Sequence, residues 1–416
     1  MNRKLLQLLL GALLMGGVLG GIAWYRHPDR VALQPHLVDE EVRADDLAQL
    51  QQALAGAQSS EVEGPDLLVV VVDGLGAQDP SLSSLEGFQR SDLLACSEHP
   101  VSAQACLLTG LPPSGHGAYM NQGLNGLRRQ VPTLVTRAHD AGWTTLGFTG
   151  ERKLRSARTG LGRGFDVYLG EDLARGSEKF PYAQADRVVD LALEGLHRSS
   201  GRRLIWVQLA DGRPPWIPRR GYVDPQGSLD AYYLPEGGTR PRDLGFREAH
   251  RALMDDGEVP PAAIQTWETS RAAEFAFIDA ELSRLLAGLE PDTQVVVVGS
   301  VGTEFPGHLE LGGVLSDSVL RVPLYTRNLS LDAHTQIELA QALSAELALV
   351  PLWRWSVDDP GIAEEHRGGK LRLWIDGQID DPHAPLTDPE LAARAAAWRA
   401  GVSSQADARA EMEESP

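Results

Sequence analysis

Unbroken apolar runs rich in β-branched residues recur along the chain at Leu67–Val72, Thr144–Phe148, Leu204–Gln208 and Val295–Val298. Stretches of helical periodicity separate them. The clearest is Ile264 to Leu289, where Phe275, Ile278, Leu282, Leu285, Leu286 and Leu289 return at spacings of three and four and so share one helix face. Pro291-Asp292 then turns the chain into the next run. A strand that is apolar throughout, rather than alternating, is one buried on both faces. Such strands alternating with helices predict an α/β fold, a parallel-rich sheet covered by helices on both sides. Further along, Lys370–Ile375 reads as a strand and Asp388–Ala400 as an Ala-rich helix.

The N-terminus has a different pattern. Leu5–Trp24 is an uncharged run of 20 residues, long enough to cross a bilayer. Basic residues Arg3 and Lys4 precede it, and Trp24-Tyr25 closes it with an interfacial aromatic pair. The run has no clean small-x-small cleavage site, so it reads as an uncleaved anchor rather than a signal peptide. The positive-inside tendency places a short tail in the cytoplasm and the main domain in the periplasm or otherwise outside, as in a single-pass inner-membrane protein. The expected organisation is a tail and transmembrane anchor over 1–26, a stalk with one helix (Leu37–Leu54) over 27–65, and the α/β domain over 66–351. A short extension packed on that domain follows over 352–400, then a disordered Ala-, Ser- and Glu-rich tail over 401–416. Within the domain, Tyr222–Pro261 is rich in Gly, Pro and charge, and is expected to form a long excursion over the sheet's upper edge.

Composition narrows the function classes. A net charge of −19 disfavours nucleic acid as a partner, because phosphates are repelled. Cys96 and Cys106 lack the spacing of a zinc site. They read as two small buried side chains, with pairing open to them in an oxidising compartment.

Several segments, taken in order, resemble the sulfatase branch of the alkaline phosphatase superfamily: Val69–Leu75, Ala105–Gly117 with its Leu107-Leu108-Thr109-Gly110, Leu134–Phe148, Gly164–Tyr168, Leu204–Asp211, Phe277–Leu286 running into Val295–Val298, and Leu320–Leu324. The resemblance spans about Asp66 to Pro351 and implies that family's α/β fold. It also implies three chemical requirements. A divalent cation held by carboxylates and a His or Asn neutralises the ester's anionic oxygens, a nucleophile attacks sulfur or phosphorus, and basic groups steady the transferred group and protonate the leaving oxygen.

This sequence departs from the pattern at all three. Asp73, at the end of the first strand, is followed by Gly74 where many relatives carry a second Asp. Aligning Gly302 with the family's Ser-Asp-His-Gly puts Ser300 and Val301 at two metal-ligand positions. Pro100 occupies the nucleophile position, and Gln104 replaces the basic residue that closes that motif. Ser102 is the nearest hydroxyl, two residues along, with His99 beside it and Cys96 further off. The family's Gly-Lys-x-His becomes Gly150-Glu151-Arg152-Lys153, which sets a carboxylate where an anionic substrate would meet a lysine. Arg213 is the surviving candidate for holding an anion, alone or with Ser300, against the plainer reading of a surface arginine. Asp73 reads as a vestigial ligand, a helix N-cap or an acceptor for loop amides. Together with Glu304 and His308 it could form a reworked metal site, against which stands ordinary loop polarity. His116 matches a mainly structural His-Gly of the family.

The expectation is therefore a sulfatase-like pseudoenzyme, a binding or scaffolding component at the cell envelope. Its partners would be the membrane, through Leu5–Trp24, and an envelope protein. It would have no cofactor unless the site has been rebuilt for calcium, magnesium, manganese or zinc. The alternatives are a divergent metal-dependent hydrolase or transferase of sulfate or phosphate esters, and a purely structural subunit.

Overall fold

In the computed structural model the described residues are 40–57, 59–120, 123–170, 182–214, 216, 261–304, 314–352, 361–367 and 370–413. The expected membrane segment Leu5–Trp24, nearly all of the Tyr222–Pro261 excursion, and His308 lie outside them. Among the described residues no helix is long and apolar enough to cross a membrane.

The elements, in order, are α1 (Glu40–Leu54), β1 (Leu67–Val72), β2 (Gln89–Leu94), α2 (Pro100–Thr109), α3 (Pro113–His116), α4 (Leu134–Asp140), β3 (Thr144–Thr149), α5 (Ser156–Thr159), β4 (Val167–Leu169), α6 (Ala185–Arg198), β5 (Arg203–Leu209) and α7 (Pro261–Ala287). Then come β6 (Gln294–Gly299), α8 (Asp317–Leu320), β7 (Arg321–Arg327), α9 (Gln336–Glu346), β8 (Ile362–Arg367), β9 (Lys370–Ile375), β10 (Gln378–Asp380) and α10 (Pro389–Glu413). The chain divides into two compact units, one of them Glu40–Pro215 with Phe275–Pro416. The other includes Trp216–Glu274, where Arg271 lies over the Trp216 ring, 5.6 Å from its centroid.

The larger unit is built on a seven-stranded sheet of order β2-β7-β6-β1-β5-β3-β4. β1 is central and parallel to both neighbours, pairing Val72 with Leu209 of β5 and with Gly299 of β6. All six residues of β1 are buried, and successive side chains alternate between two cores. Leu67, Val69 and Val71 join the core formed with α2, α4 and α9. Leu68, Val70 and Val72 join the core formed with α1, α6 and α7. The expected sheet covered on both faces is therefore present. It is mostly parallel rather than wholly so, because β7 runs antiparallel to both β6 and β2. The predicted α7 face is buried through Ile278, Leu282 and Leu285.

Three expectations need correction. The helix assigned to a stalk belongs to the domain. Arg187 on α6 is buried and grips Asp46 on α1 through both Nε and Nη2, the latter at 2.6 Å, while Leu50 enters the core. The folded unit thus includes Glu40–Leu54 as well as the chain from Asp66 onward. The C-terminal tail expected to be disordered continues α10 as far as Glu413. Its Ala, Glu and Arg residues are strong helix formers, and that local preference outweighs the polar composition. Finally, Cys96 and Cys106 form a disulfide, which ties the segment after β2 to the second turn of α2.

The bridge closes a short loop, with a sequence separation of 10. In the chain-entropy model a loop of that size constrains the unfolded chain by about 2–3 kcal/mol. Replacing both cysteines by serine is expected to lower the unfolding free energy by that amount, read from denaturant titrations as a lower midpoint. A midpoint equal to the wild type would show that the bridge adds nothing.

The extension after residue 352 forms a second sheet of order β10-β9-β8 with α10 against it. It docks on the segment leading into α2. The Glu364 amide donates to the Cys96 carbonyl at 2.8 Å, and Ser97 bridges to Glu364 in parallel register.

Candidate functional site

Ligands of open α/β sheets collect at the carboxyl ends of the strands, and most of the residues singled out in the sequence meet there. The central position of β1 places Asp73 between the ends of β5 and β6, where it is fully buried. Both of its carboxylate oxygens are engaged. Ser300 Oγ donates to Oδ1 at 2.5 Å, and Gln208 Nε2 donates to Oδ2 at 2.8 Å. The Gln208 side chain cannot turn round without loss, because its Oε1 accepts from Thr149 Oγ1 at 2.8 Å and from the Glu151 amide at 3.1 Å. Burial pushes the Asp73 carboxyl up from its ordinary value, opposed by the charge of Arg213 and by the two hydrogen bonds.

Gly74 explains why no second carboxylate follows Asp73. Its φ is +79°, in the left-handed region, and a Cβ built on it would lie 2.2 Å from the Gly212 carbonyl oxygen. Reciprocally, a Cβ on Gly212 would lie 2.2 Å from the Asp73 carbonyl. The β1 and β5 ends approach backbone to backbone, so a side chain at position 74 has no room.

Arg213 forms an ion pair with Glu151, and both side chains are buried. This corrects the reading of Arg213 as an available anion holder. Its guanidinium faces the very carboxylate that replaced the family's lysine, so the two departures from the family pattern are one compensated pair. Ser300 is likewise corrected, since its hydroxyl is committed to Asp73.

The start of α2 forms the next part of the site. His99 is its N-cap, with Nδ1 accepting from the Val101 amide at 3.2 Å, and Pro100 is the first helical residue. Proline suits that position because the helix leaves its N–H unused in any case. Burial, and then the charges of Lys153 and Arg213, push the His99 imidazole down to about 3. The ring is therefore neutral at physiological pH, as its acceptor role requires. Ser102 is fully buried in the first turn, and its Oγ has no hydrogen-bond partner among the described residues. Gln336, the first residue of α9, links this segment to the end of β6. Its Nε2 donates to the Ser300 carbonyl at 2.7 Å and its Oε1 accepts from the Cys96 amide at 3.2 Å.

Three further candidates remain. His116 is buried, and its Nδ1 accepts from the Ala118 amide at 3.0 Å, a structural role. Glu304 is half-buried, and among the described residues no three of His, Cys, Asp and Glu converge in a way that would hold a metal. Cys96, a distant candidate nucleophile, is held in the disulfide.

The described residues around Asp73 do not by themselves make a ligand set for a divalent cation. A calcium ion takes about six to eight oxygen ligands, several of them carboxylates. Both oxygens of the Asp73 carboxylate face hydrogen-bond donors, and among the described residues no three His, Cys, Asp or Glu side chains converge on a metal. Val301 at the neighbouring ligand position is apolar and buried, and position 74 is closed.

Sequence reasoning missed Gln208, Thr149 and Gln336. Gln208 carried a usable signal, since an amide inside a strand buried on both faces must find partners.

No protein-family model and no curated protein sequence matches this chain. Solved structures do. A phosphonate monoester hydrolase from Silicibacter pomeroyi is 16% identical, with a TM-score of 0.52, over 84% of this chain and 96% of that one. A 2-O GAG sulfatase is 13% identical, with a TM-score of 0.51, over 84% and 93%. A protein of the alkaline phosphatase superfamily from Vibrio parahaemolyticus is 13% identical, with a TM-score of 0.50, over 90% and 97%. At these identities the likeness is one of fold, and the fold of this chain is that of the sulfatase-like alkaline phosphatase superfamily.

Proposed function

We propose that this chain is a sulfatase-like protein without hydrolase activity, serving as a binding or scaffolding component at the cell envelope. It is held at the membrane by Leu5–Trp24, with the main domain outside the cytoplasm. The observation that carries this reading is the start of α2. Pro100 stands where the family places its nucleophile, and the neutral, half-buried His99 beside it is occupied in capping the helix. No atom at that position can attack sulfur or phosphorus. The Glu151–Arg213 pair supports the same reading, because a cation neutralised within the protein is lost to substrate. The Cys96–Cys106 disulfide supports the compartment, since such bonds persist outside the reducing cytosol.

The second reading is a divergent metal-dependent hydrolase or transferase of sulfate or phosphate esters. One observation favours it, the unpartnered Oγ of Ser102, yet that hydroxyl is fully buried within the helix.

The test is turnover of aryl sulfates, aryl phosphates and phosphonate monoesters by the purified full chain, with calcium, magnesium, manganese or zinc added in turn. No rate above the uncatalysed background is expected. Hydrolysis that disappears in Asp73→Ala would overturn the proposal.

A further inference from the structure

The mismatch between the site and a divalent cation has a structural counterpart. In the fold family a cation binds the ends of neighbouring strands to one another. Here the ends of four strands are joined by side-chain hydrogen bonds. Ser300, after β6, donates to Asp73, after β1, at 2.5 Å. Asp73 accepts from Gln208 of β5 at 2.8 Å. Gln208 accepts in turn from Thr149 of β3 at 2.8 Å, and from the Glu151 amide at 3.1 Å. Asp73, Ser300 and Gln208 are fully buried, and Thr149 is 1% exposed. A buried carboxylate must be compensated, by a metal or by donors. We infer that the Gln208 amide has taken over the cation's task, so that the strand ends are cross-linked by a metal-free relay of Ser300, Asp73, Gln208 and Thr149.

The relay has a fixed sense. Thr149 and the Glu151 amide are donors, which obliges the Gln208 oxygen to face them and its NH2 to face Asp73. Asp73 thus receives a donor on each oxygen, and Ser300 supplies the second. A cation entering beside Asp73 would have to displace both donors, and the displaced Gln208 NH2 would lose its buried acceptor. Gly74, closed by the Gly212 carbonyl, leaves no room at position 74 for a second carboxylate that could offset that loss. Gln208 is therefore a positioning residue for Asp73, and the fold should be indifferent to metal. This inference rests on the fold and on the hydrogen bonds, not on the proposed lack of turnover.

The test is thermal unfolding of the full chain, in chelator and then with calcium, magnesium, manganese or zinc added at millimolar concentration. The wild type is compared with Gln208→Glu and Ser300→Asp. The wild-type midpoint is expected to be the same in chelator and in every cation. Gln208→Glu keeps the side-chain shape but turns the donor towards Asp73 into a carboxylate. It is expected to unfold at lower temperature in chelator and to recover when a divalent cation is added, because two facing carboxylates then have a ligand to share. Ser300→Asp is expected to behave in the same way, and it provides the measurement if Gln208→Glu fails to fold. A wild-type midpoint that rises with metal, with the rise abolished in Asp73→Asn, would overturn the inference. So would a Gln208→Glu variant as stable as the wild type in chelator, or one that no cation restores. Turnover of esters by a wild type whose stability ignores metal would sink the functional proposal and leave this inference intact.

Discussion

Glu364→Ala is expected to lower the unfolding free energy by about 3–5 kcal/mol, the range for removing one partner of a buried charged network. Glu364 is fully buried, and its carboxylate receives donors from three elements. Ser114, in α3, donates its amide at 2.8 Å to one oxygen and its hydroxyl at 2.6 Å to the other. Trp398, on α10, donates Nε1 at 2.6 Å, and His366 Nε2 lies 2.9 Å away on the same strand, β8. The carboxylate therefore fastens the C-terminal sheet and helix to the main domain. Its removal leaves the Ser114 amide and the Trp398 indole buried without an acceptor, each costing about 1–3 kcal/mol. Burial raises the Glu364 carboxyl, but the hydrogen bonds and charge of His366, with Ser114 and Trp398, prevail and hold it below its ordinary value of 4.5. A depressed folded value means that the stabilisation is present above pH 4.5 and fades as the pH falls through the folded value. Denaturant titrations of wild type and variant at neutral pH, and again near pH 3, provide the check. The gap should narrow in acid, and equal midpoints at neutral pH would contradict the assignment.

Different parts of the molecule were legible in the sequence to different degrees, for identifiable reasons. β1 could be read because six consecutive apolar residues are buried on both faces and end on Asp73-Gly74. β2 could not. It is an outer strand whose first four residues, Gln89 to Asp92, are exposed, so its composition matches a loop. Continuous apolarity marks central strands and is silent about edges. α1 was recognised as a helix but misplaced, because the buried partner that anchors it, Arg187, lies 141 residues away from Asp46.

The family pattern gives Asp73, His99, Pro100, Arg213 and Ser300 their order in the sequence, and in the structure they lie at the carboxyl edge or beside it. What each side chain does depends on its neighbours across strands. Glu151 alone reads as a misplaced charge, and Arg213 alone as a free cation. Their pairing is visible only once β3 and β5 lie side by side. Glu364 gave no signal at all, since Ile362-Ala363-Glu364-Glu365-His366-Arg367 is polar at four of six positions and reads as surface.

The second large effect concerns pH. Glu98→Gln is expected to abolish a loss of stability that the wild type suffers between about pH 4.5 and pH 8. Glu98 is 7% exposed, and burial, followed by the nearby charge of Glu365, pushes its carboxyl from 4.5 up to about 8. Ser97 Oγ donates to it at 2.9 Å, and Arg372 offsets the charge only in part, being bound to Glu365 at 2.5 Å and to Asp381 at 2.9 Å. The folded protein therefore holds a proton that the unfolded chain has released. Within that window the unfolded state binds fewer protons, so stability falls as the pH rises, and it levels off above the folded value. At about 1.4 kcal/mol per unit the full span amounts to roughly 3–5 kcal/mol. Glutamine keeps the shape and the neutrality, so the variant should match the wild type near pH 4.5 and exceed it by that amount at pH 8. Denaturation midpoints measured across the window decide the matter, and parallel profiles for the two proteins would refute it. The location matters as much as the size. Glu98 lies between Cys96 and His99, in the segment that runs into α2 and against which β8 docks. Ionisation at alkaline pH sets its charge against Glu365 across that contact, so hydrogen exchange should rise first over Cys96–His99 and β8. The disulfide, anchored at Cys106 in the second turn of α2, limits how far the segment can move, and the relay at the end of β1 should stay protected.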